Sequence, residues 1–122
     1  MPITFDTVTN IARAFPDVER VTKYDGSPVL KVHGSFVAGL ATDESAEADT
    51  LVVRMDLDQR AWLLEDAPDT YYVTDFHRKY PVVLARMSAL TRDAVHDLLA
   101  GSRDLALEKV PRARRHSRTT PR

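Results

Sequence analysis

Residues 22–40 read TKYDGSPVLKVHGSFVAGL, and this stretch decides the fold. Short β-rich runs alternate in it with residues that are typical of sharp turns. Glycine tolerates a positive φ and proline fixes its own φ, so Asp25-Gly26-Ser27-Pro28 and His33-Gly34 each predict a reversal of the chain. The pattern therefore predicts a hairpin through His33-Gly34 and three strands, at Val21–Tyr24, Val29–Val32 and Phe36–Leu40.

The sequence on either side of this stretch predicts helices and further strands. Upstream, apolar residues recur at helical spacing from Phe5 to Phe15, after the capping residue Thr4 and before the helix-closing Pro16. Downstream, we expect an exposed acidic loop at Ala41–Asp49, a strand at Leu51–Met55, and a helix at Asp56–Glu65 that is capped by Asp56. Two strands, Tyr71–Val73 and Val82–Met87, should then flank a loop at Thr74–Pro81. The last predicted helix is Thr91–Glu108.

This succession of elements predicts the fold class. The order α-β-β-β-β-α-β-β-α is typical of an α+β fold, here a two-layer domain with an antiparallel sheet of five or six strands and three helices. Residues 1–108 are long enough for one such domain, and they carry all 18 acidic residues against 11 Lys or Arg. Residues 109–122 carry six Lys or Arg and no acid. Terminal runs of one charge are usually disordered, so we expect a basic, disordered tail.

Several classes of protein are excluded or disfavoured by composition. The chain has no cysteine, which excludes disulfides, zinc-thiolate sites and cysteine nucleophiles. Its apolar runs are too short to span a membrane and its N-terminus lacks a signal-peptide pattern, so we expect a cytoplasmic protein. The four histidines are scattered, and no phosphate-binding loop or serine elbow occurs, so we expect no enzyme, no metal and no cofactor. An enzyme would require a pocket that joins Asp75, His77 and Tyr80.

Nucleic-acid binding is the more serious possibility, because it needs cations on a rigid surface together with exposed aromatic rings. Alternation along strands would turn three cations toward one sheet face, and the loop before Pro81 supplies the others. The predicted contacts are Lys31, Arg54, His77, Arg78, Lys79 and Arg86. The alternative is that the strand arginines pair with acids such as Asp56 or Asp75. For Trp62 we expect core packing, and exposure would instead indicate a surface for a partner.

Five blocks of the sequence, taken in order, resemble the MmcQ/YjbR family of small bacterial proteins over residues 4–109. The blocks are Phe15-Pro16, Thr22-Lys23-Tyr24 with Pro28, Lys31 to Phe36, Leu51 to Asp56 leading into Gln59-Arg60-Ala61, and Tyr80-Pro81-Val82. The resemblance implies an α+β domain similar to secretion chaperones and to double-wing DNA-binding domains. Many relatives have an aromatic residue where Val82 stands, and the acidic loop at 41–49 is longer than the family's usual turn.

Taken together, these features predict a non-enzymatic DNA-binding domain that uses a basic sheet face and the loop before Pro81. The alternative is an adaptor module that binds a protein or a small ligand without catalysis. In either case we expect a monomer or a weak homodimer.

Overall fold

A computed structural model describes residues 3–111 of the chain. Within this range the elements are α1 (Phe5–Ala12), β1 (Val18–Thr22), β2 (Pro28–Val32), β3 (Ser35–Leu40), β4 (Thr50–Arg54), α2 (Leu57–Asp66), β5 (Tyr71–Tyr72), α3 (Asp75–Arg78), β6 (Val82–Arg86), a 3₁₀ turn (Met87–Ala89) and α4 (Arg92–Glu108). The predicted α+β class is confirmed.

The strands form one antiparallel sheet in the order β1-β2-β3-β4-β6-β5. The hairpin through His33-Gly34 is confirmed, since both residues have positive φ, at 49° and 83°. Such a turn matches the twist of the two strands that it joins. Within the β2–β3 ladder the register shifts at Leu30/Lys31, which is a β-bulge.

One face of the sheet is buried under the helical layer and forms the core. Leu30, Ala38, Val53 and Val83 lie side by side across β2, β3, β4 and β6 on this face. Helix α4 packs over β2, β3 and β4, and α1 packs against α4. The Oγ of Ser102 in α4 donates a 2.5 Å hydrogen bond to the carbonyl oxygen of Val37, which fixes the helix on the sheet.

The structure corrects two predictions about the helices, the end of the first one and their number. The first helix ends at Ala12 rather than Phe15, because the amides of residues 13–15 bond three residues back and tighten the turn. The predicted loop Thr74–Pro81 contains the one-turn helix α3, so the described residues hold four helices rather than three. Thr74 caps α3 by accepting from the His77 amide, a local interaction that no apolar periodicity reveals.

The folded region extends beyond the predicted domain boundary at residue 108. Helix α4 is unbroken through Gly101, where a Cβ would meet only open space. Val110 is only 4% exposed, so the packed chain continues at least to that residue. The predicted disordered tail falls, from residue 112 onward, outside the described residues.

An ion pair between Asp17 and Arg103 joins the start of β1 to α4. Arg103 donates from Nε to Asp17 Oδ1 at 2.7 Å and from Nη2 to Oδ2 at 2.6 Å. These hydrogen bonds hold the pKa of the Asp17 carboxyl below its usual value, against the opposing effect of burial. Both side chains are partly buried, so this bidentate pair is stronger than an exposed ion pair.

Replacing Asp17→Asn should lower the free energy of unfolding by about 1.5–3 kcal/mol at pH 7, because the charge-assisted bonds are lost. The Asp17 contribution is present above the unfolded-state pKa of about 3.9 and is lost as pH falls through the lower folded-state pKa. Urea unfolding at pH 7 and in acid measures both effects. Asp104→Asn is the matched control, since Asp104 contacts the same arginine from an exposed position. An equal loss in both variants would contradict the assignment.

Candidate nucleic-acid interface

The second face of the sheet is only partly covered and carries a groove. Val29, Gly39, Val52 and Leu84 lie side by side across it, on the face opposite the core. Helix α3 packs on β6 at this face. The groove, of about 430 Å³, is lined by residues of β2, β3 and β4, the β1–β2 turn, α3 and the start of the 41–49 loop, including Lys23, Tyr24, Asp25, Val29, Phe36, Val52, Asp43, Phe76 and His77.

Two exposed aromatic rings stand on opposite sides of this groove. Tyr24 is fully exposed on the β1–β2 turn, and Phe76 is 47% exposed on α3. The turn is fixed by a backbone bond of 2.8 Å from Lys23 to Ser27 and by Asp25, which accepts from the Ser27 amide and hydroxyl. The ring of Tyr24 is therefore held on an ordered turn, although the ring itself stands in solvent.

The residues after Thr74 form a compact group of aromatic and cationic side chains. The rings of Phe76 and Tyr80 are 5.9 Å apart. Lys79 Nζ lies 5.9 Å from the first ring centroid and 5.5 Å from the second. Arg78 is 3.5 Å from Asp75, but both side chains are exposed, so this pair is weak and leaves the guanidinium available.

His77 is buried beside the groove and is held by a chain of hydrogen-bonding groups. Its Nδ1 lies 2.7 Å from Thr74 Oγ1, which lies 3.1 Å from Ser45 Oγ, and Ser45 donates in turn to Asp43. Burial lowers the pKa of His77, and the nearby Asp43 only partly opposes this. The imidazole is therefore neutral at pH 7, and His77 positions α3 rather than offering a cation to phosphate.

Two of the three predicted strand cations, Arg86 and Arg54, make hydrogen bonds within the protein. Arg86 makes a bidentate pair with Glu47 at 2.9 and 2.8 Å and stacks on Tyr72, with 4.4 Å from its Cζ to the ring centroid. Lys31 lies opposite Glu19 in the β1–β2 ladder. The alternative prediction, that strand arginines pair with acids, thus holds for Arg86. Its partner is Glu47, in the loop that precedes β4, rather than Asp56 or Asp75.

Arg54 is also engaged with the protein. Its Nε donates a 2.7 Å hydrogen bond to the Phe36 carbonyl oxygen. Arg54 is the last residue of β4 and still pairs with Val82 of β6, whereas the β3–β4 pairing ends one residue earlier, at Ala38 and Val53. Arg54 lines a cleft against α4 instead of the groove.

Three aromatic residues of the groove were not singled out from the sequence, namely Tyr24, Phe36 and Phe76. Tyr24 was assigned to a strand, whereas β1 ends at Thr22 and the turn begins at Lys23. The neighbouring Asp25-Gly26 turn signal could have identified its exposed position.

Trp62 differs from its predicted role, since it is 61% exposed and does not pack in the core. Its neighbours Leu63 and Leu64 occupy the inward side of α2 and pack against the core. Successive helical residues are rotated by about 100°, so the indole points toward solvent.

Of the three residues Asp75, His77 and Tyr80, only His77 lines the groove. Within residues 3–111, no group of three or more His, Asp or Glu side chains is placed to hold a metal ion. No helix in the same range has both the length and the apolar character needed to cross a membrane.

The buried His77 should make stability depend on pH. Its folded-state pKa is below the unfolded value of about 6.5, so its contribution is present above pH 6.5 and is lost as pH falls through the folded-state pKa. In His77→Gln, the loss of unfolding free energy between pH 7.5 and 5.5 should be smaller, by up to about 1.4 kcal/mol per pH unit. Urea titrations at both pH values measure this. An unchanged slope in His77→Gln would contradict the assignment.

Comparison with known proteins assigns no family to this chain. No family model matches this chain, and no curated protein matches it. Among solved structures, the chain is similar to the crystal structure of a Bacillus subtilis protein of the DUF1801 family, with 15% identity, 78% of this chain and 70% of that chain covered, and a TM-score of 0.47. Membership of the MmcQ/YjbR family therefore stays a prediction from the five sequence blocks.

Proposed function

We propose that this protein binds single-stranded nucleic acid, without catalysis, along the rim of the groove on the second sheet face. One observation carries the proposal: exposed aromatic rings and available cations occur together there, with Lys79 over the rings of Phe76 and Tyr80. Bases stack on aromatic rings while basic side chains follow the phosphates, which is how single strands are bound. Under this proposal, the protein binds its ligand in the cytoplasm.

The charge distribution favours a single strand over a duplex. Duplex binding through phosphates usually needs a broad basic face, whereas the whole chain has a net charge of −1. Arg86 is neutralised by Glu47 and Arg54 lies toward α4, so neither belongs in the proposed contact set. Arg78 and Lys79 remain as the principal phosphate contacts.

Alanine replacement of Arg78 and Lys79 tests the phosphate contacts. Fluorescence anisotropy with a labelled single strand of about 12 nucleotides should show binding that weakens with salt. Each lost contact should reduce the slope of log K against log salt by about 0.7. Arg92→Ala, at the start of α4, is the matched control and should retain the slope. The basic residues at 109–122 are common to all variants, and absence of binding by the intact chain at low salt would refute the proposal.

Replacement of the aromatic residues tests the stacking. Tyr24→Ala and Phe76→Ala should each weaken binding by about 1–3 kcal/mol, the cost of losing one stacked base. Trp62→Ala is the control, since Trp62 is equally bulky and exposed but lies on α2, outside the groove. If all three variants bind alike, stacking in the groove is not the mode of binding.

Removing a carboxylate from the groove distinguishes polynucleotide from a cationic ligand. Asp25 accepts two hydrogen bonds from Ser27, and asparagine can accept both, so Asp25→Asn should preserve the turn. Loss of this negative charge should tighten binding to a single strand, most visibly at low salt. Weaker binding in the variant would instead indicate a cationic ligand.

A protein-binding adaptor is the second candidate, and the exposed Trp62 favours it. Large aromatic side chains are enriched at the energetic centres of protein interfaces. In the homodimer version of this idea, sedimentation equilibrium should show self-association that Trp62→Ala abolishes. A chain that stays monomeric in that experiment would contradict the homodimer version.

A further inference from the structure

Helices α2 and α4 enclose a cleft on the helical side of the sheet, separate from the groove on the second face. Its volume is about 210 Å³. Most of the lining is apolar and comes from Met55, Leu63, Leu98 and Leu105, together with the helix backbone at Gly101. Such a cleft provides space for an apolar group away from water.

An arginine without a carboxylate partner lines this cleft. Arg54 uses its Nε for the Phe36 carbonyl oxygen, and it forms no salt bridge with any carboxylate side chain of residues 3–111. Residues 112–122 contain no aspartate or glutamate that could supply one. Burial lowers the pKa of Arg54, and a guanidinium remains charged at pH 7 even so. A partly buried, unpaired cation is unfavourable, and an anion in the cleft would relieve this.

Tyr71 lines the same cleft. Tyr71 is 8% exposed, and burial raises the pKa of its hydroxyl, so the phenol is neutral at pH 7. Its backbone is held in place because Tyr71 pairs with Ala85 in the β5–β6 ladder and its amide donates to the Ala67 carbonyl oxygen. Tyr71 is therefore a neutral phenol that lines the same cleft as the Arg54 cation.

The size and the remaining charge of the cleft limit what it can hold. A cavity of about 150 Å³ accommodates benzene, so 210 Å³ suits one ring with a short arm, and it is smaller than the sites for drug-sized ligands. Asp97 also lines the cleft, with its largely exposed carboxylate beside His96. The cleft thus has one guanidinium and one carboxylate among its lining residues, and this small net charge favours a monoanion over a dianion such as phosphate.

We propose that the cleft between α2 and α4 binds a small monocarboxylate with an apolar body, such as an arylacetate. The carboxylate accepts from Arg54 and Tyr71, and the apolar body packs against Leu63, Leu98 and Leu105. This site is independent of nucleic-acid binding, because it lies on the other side of the sheet.

Titration of the full chain with matched ligands tests the charge requirement. Phenylacetate should bind with a Kd of about 1 mM, which is ordinary for a ligand of this size. Phenylacetamide has the same shape without the charge, and it should bind at least tenfold more weakly. Chemical-shift perturbation in ¹⁵N-labelled protein gives both constants and shows whether residues of α2 and α4 respond.

Two variants test the location of the site by different physical means. Arg54→Gln removes the cation and should weaken phenylacetate binding by at least tenfold, with little effect on phenylacetamide. Gly101→Leu places a side chain in the open space of the cleft, and it should abolish binding of both ligands. Leucine is also the better helix former, so this variant should fold at least as well as the wild type. Arg92→Gln is the control and should bind as the wild type does.

The outcomes separate clearly. Preference for the acid over the amide, loss of that preference in Arg54→Gln and loss of binding in Gly101→Leu support the proposal. Equal binding of acid and amide by the wild type would overturn the role of Arg54. Unchanged binding in the folded Gly101→Leu variant, or no binding of phenylacetate well above its expected Kd, would overturn the site itself.

Discussion

The pairing register of the sheet is the constraint on which the other features depend. Leu30, Ala38, Val53 and Val83 share the face beneath α4, and a shift of one residue in any strand would turn its apolar side chains to the opposite face. With that register fixed, Val29, Gly39 and Val52 necessarily face the other way. The groove is thus a consequence of burying the core on one side only.

Two arginines, Arg86 and Arg60, use their guanidinium groups for hydrogen bonds within the protein. Arg86 holds the acidic 41–49 loop through Glu47 and also donates to two carbonyl oxygens of the segment before β5. Arg60 similarly donates to the carbonyl oxygens of Arg78, Tyr80 and Val82 and so fixes the segment after α3. Guanidinium groups have several donors in a fixed plane, which suits them to joining irregular segments. Arg78 and Lys79, at the end of α3, are not used in this way among the contacts of residues 3–111.

The two sides of the sheet offer different chemistry because different elements line them. The groove is bounded by a turn and a one-turn helix, which present exposed rings and exposed charged side chains to an extended ligand. The cleft is bounded by two longer helices and holds one unpaired guanidinium among apolar side chains, which suits a small anion. A single domain can therefore carry two unrelated binding surfaces, since the sheet separates them.

The sequence by itself determined the α+β class, the hairpin at His33-Gly34 and the long helices, because apolar periodicity and turn residues act over a few neighbouring positions. It did not determine the partners of Arg54 and Arg86, since Phe36 and Glu47 are distant in the chain and meet them only when the strands pair. Local patterns also did not predict the exposure of Trp62 or the presence of the short helix α3. The rotation of α2 against the core decides the first, and a single cap decides the second. Which charges are neutralised and which remain available was therefore decided by tertiary structure, through contacts between residues far apart in sequence.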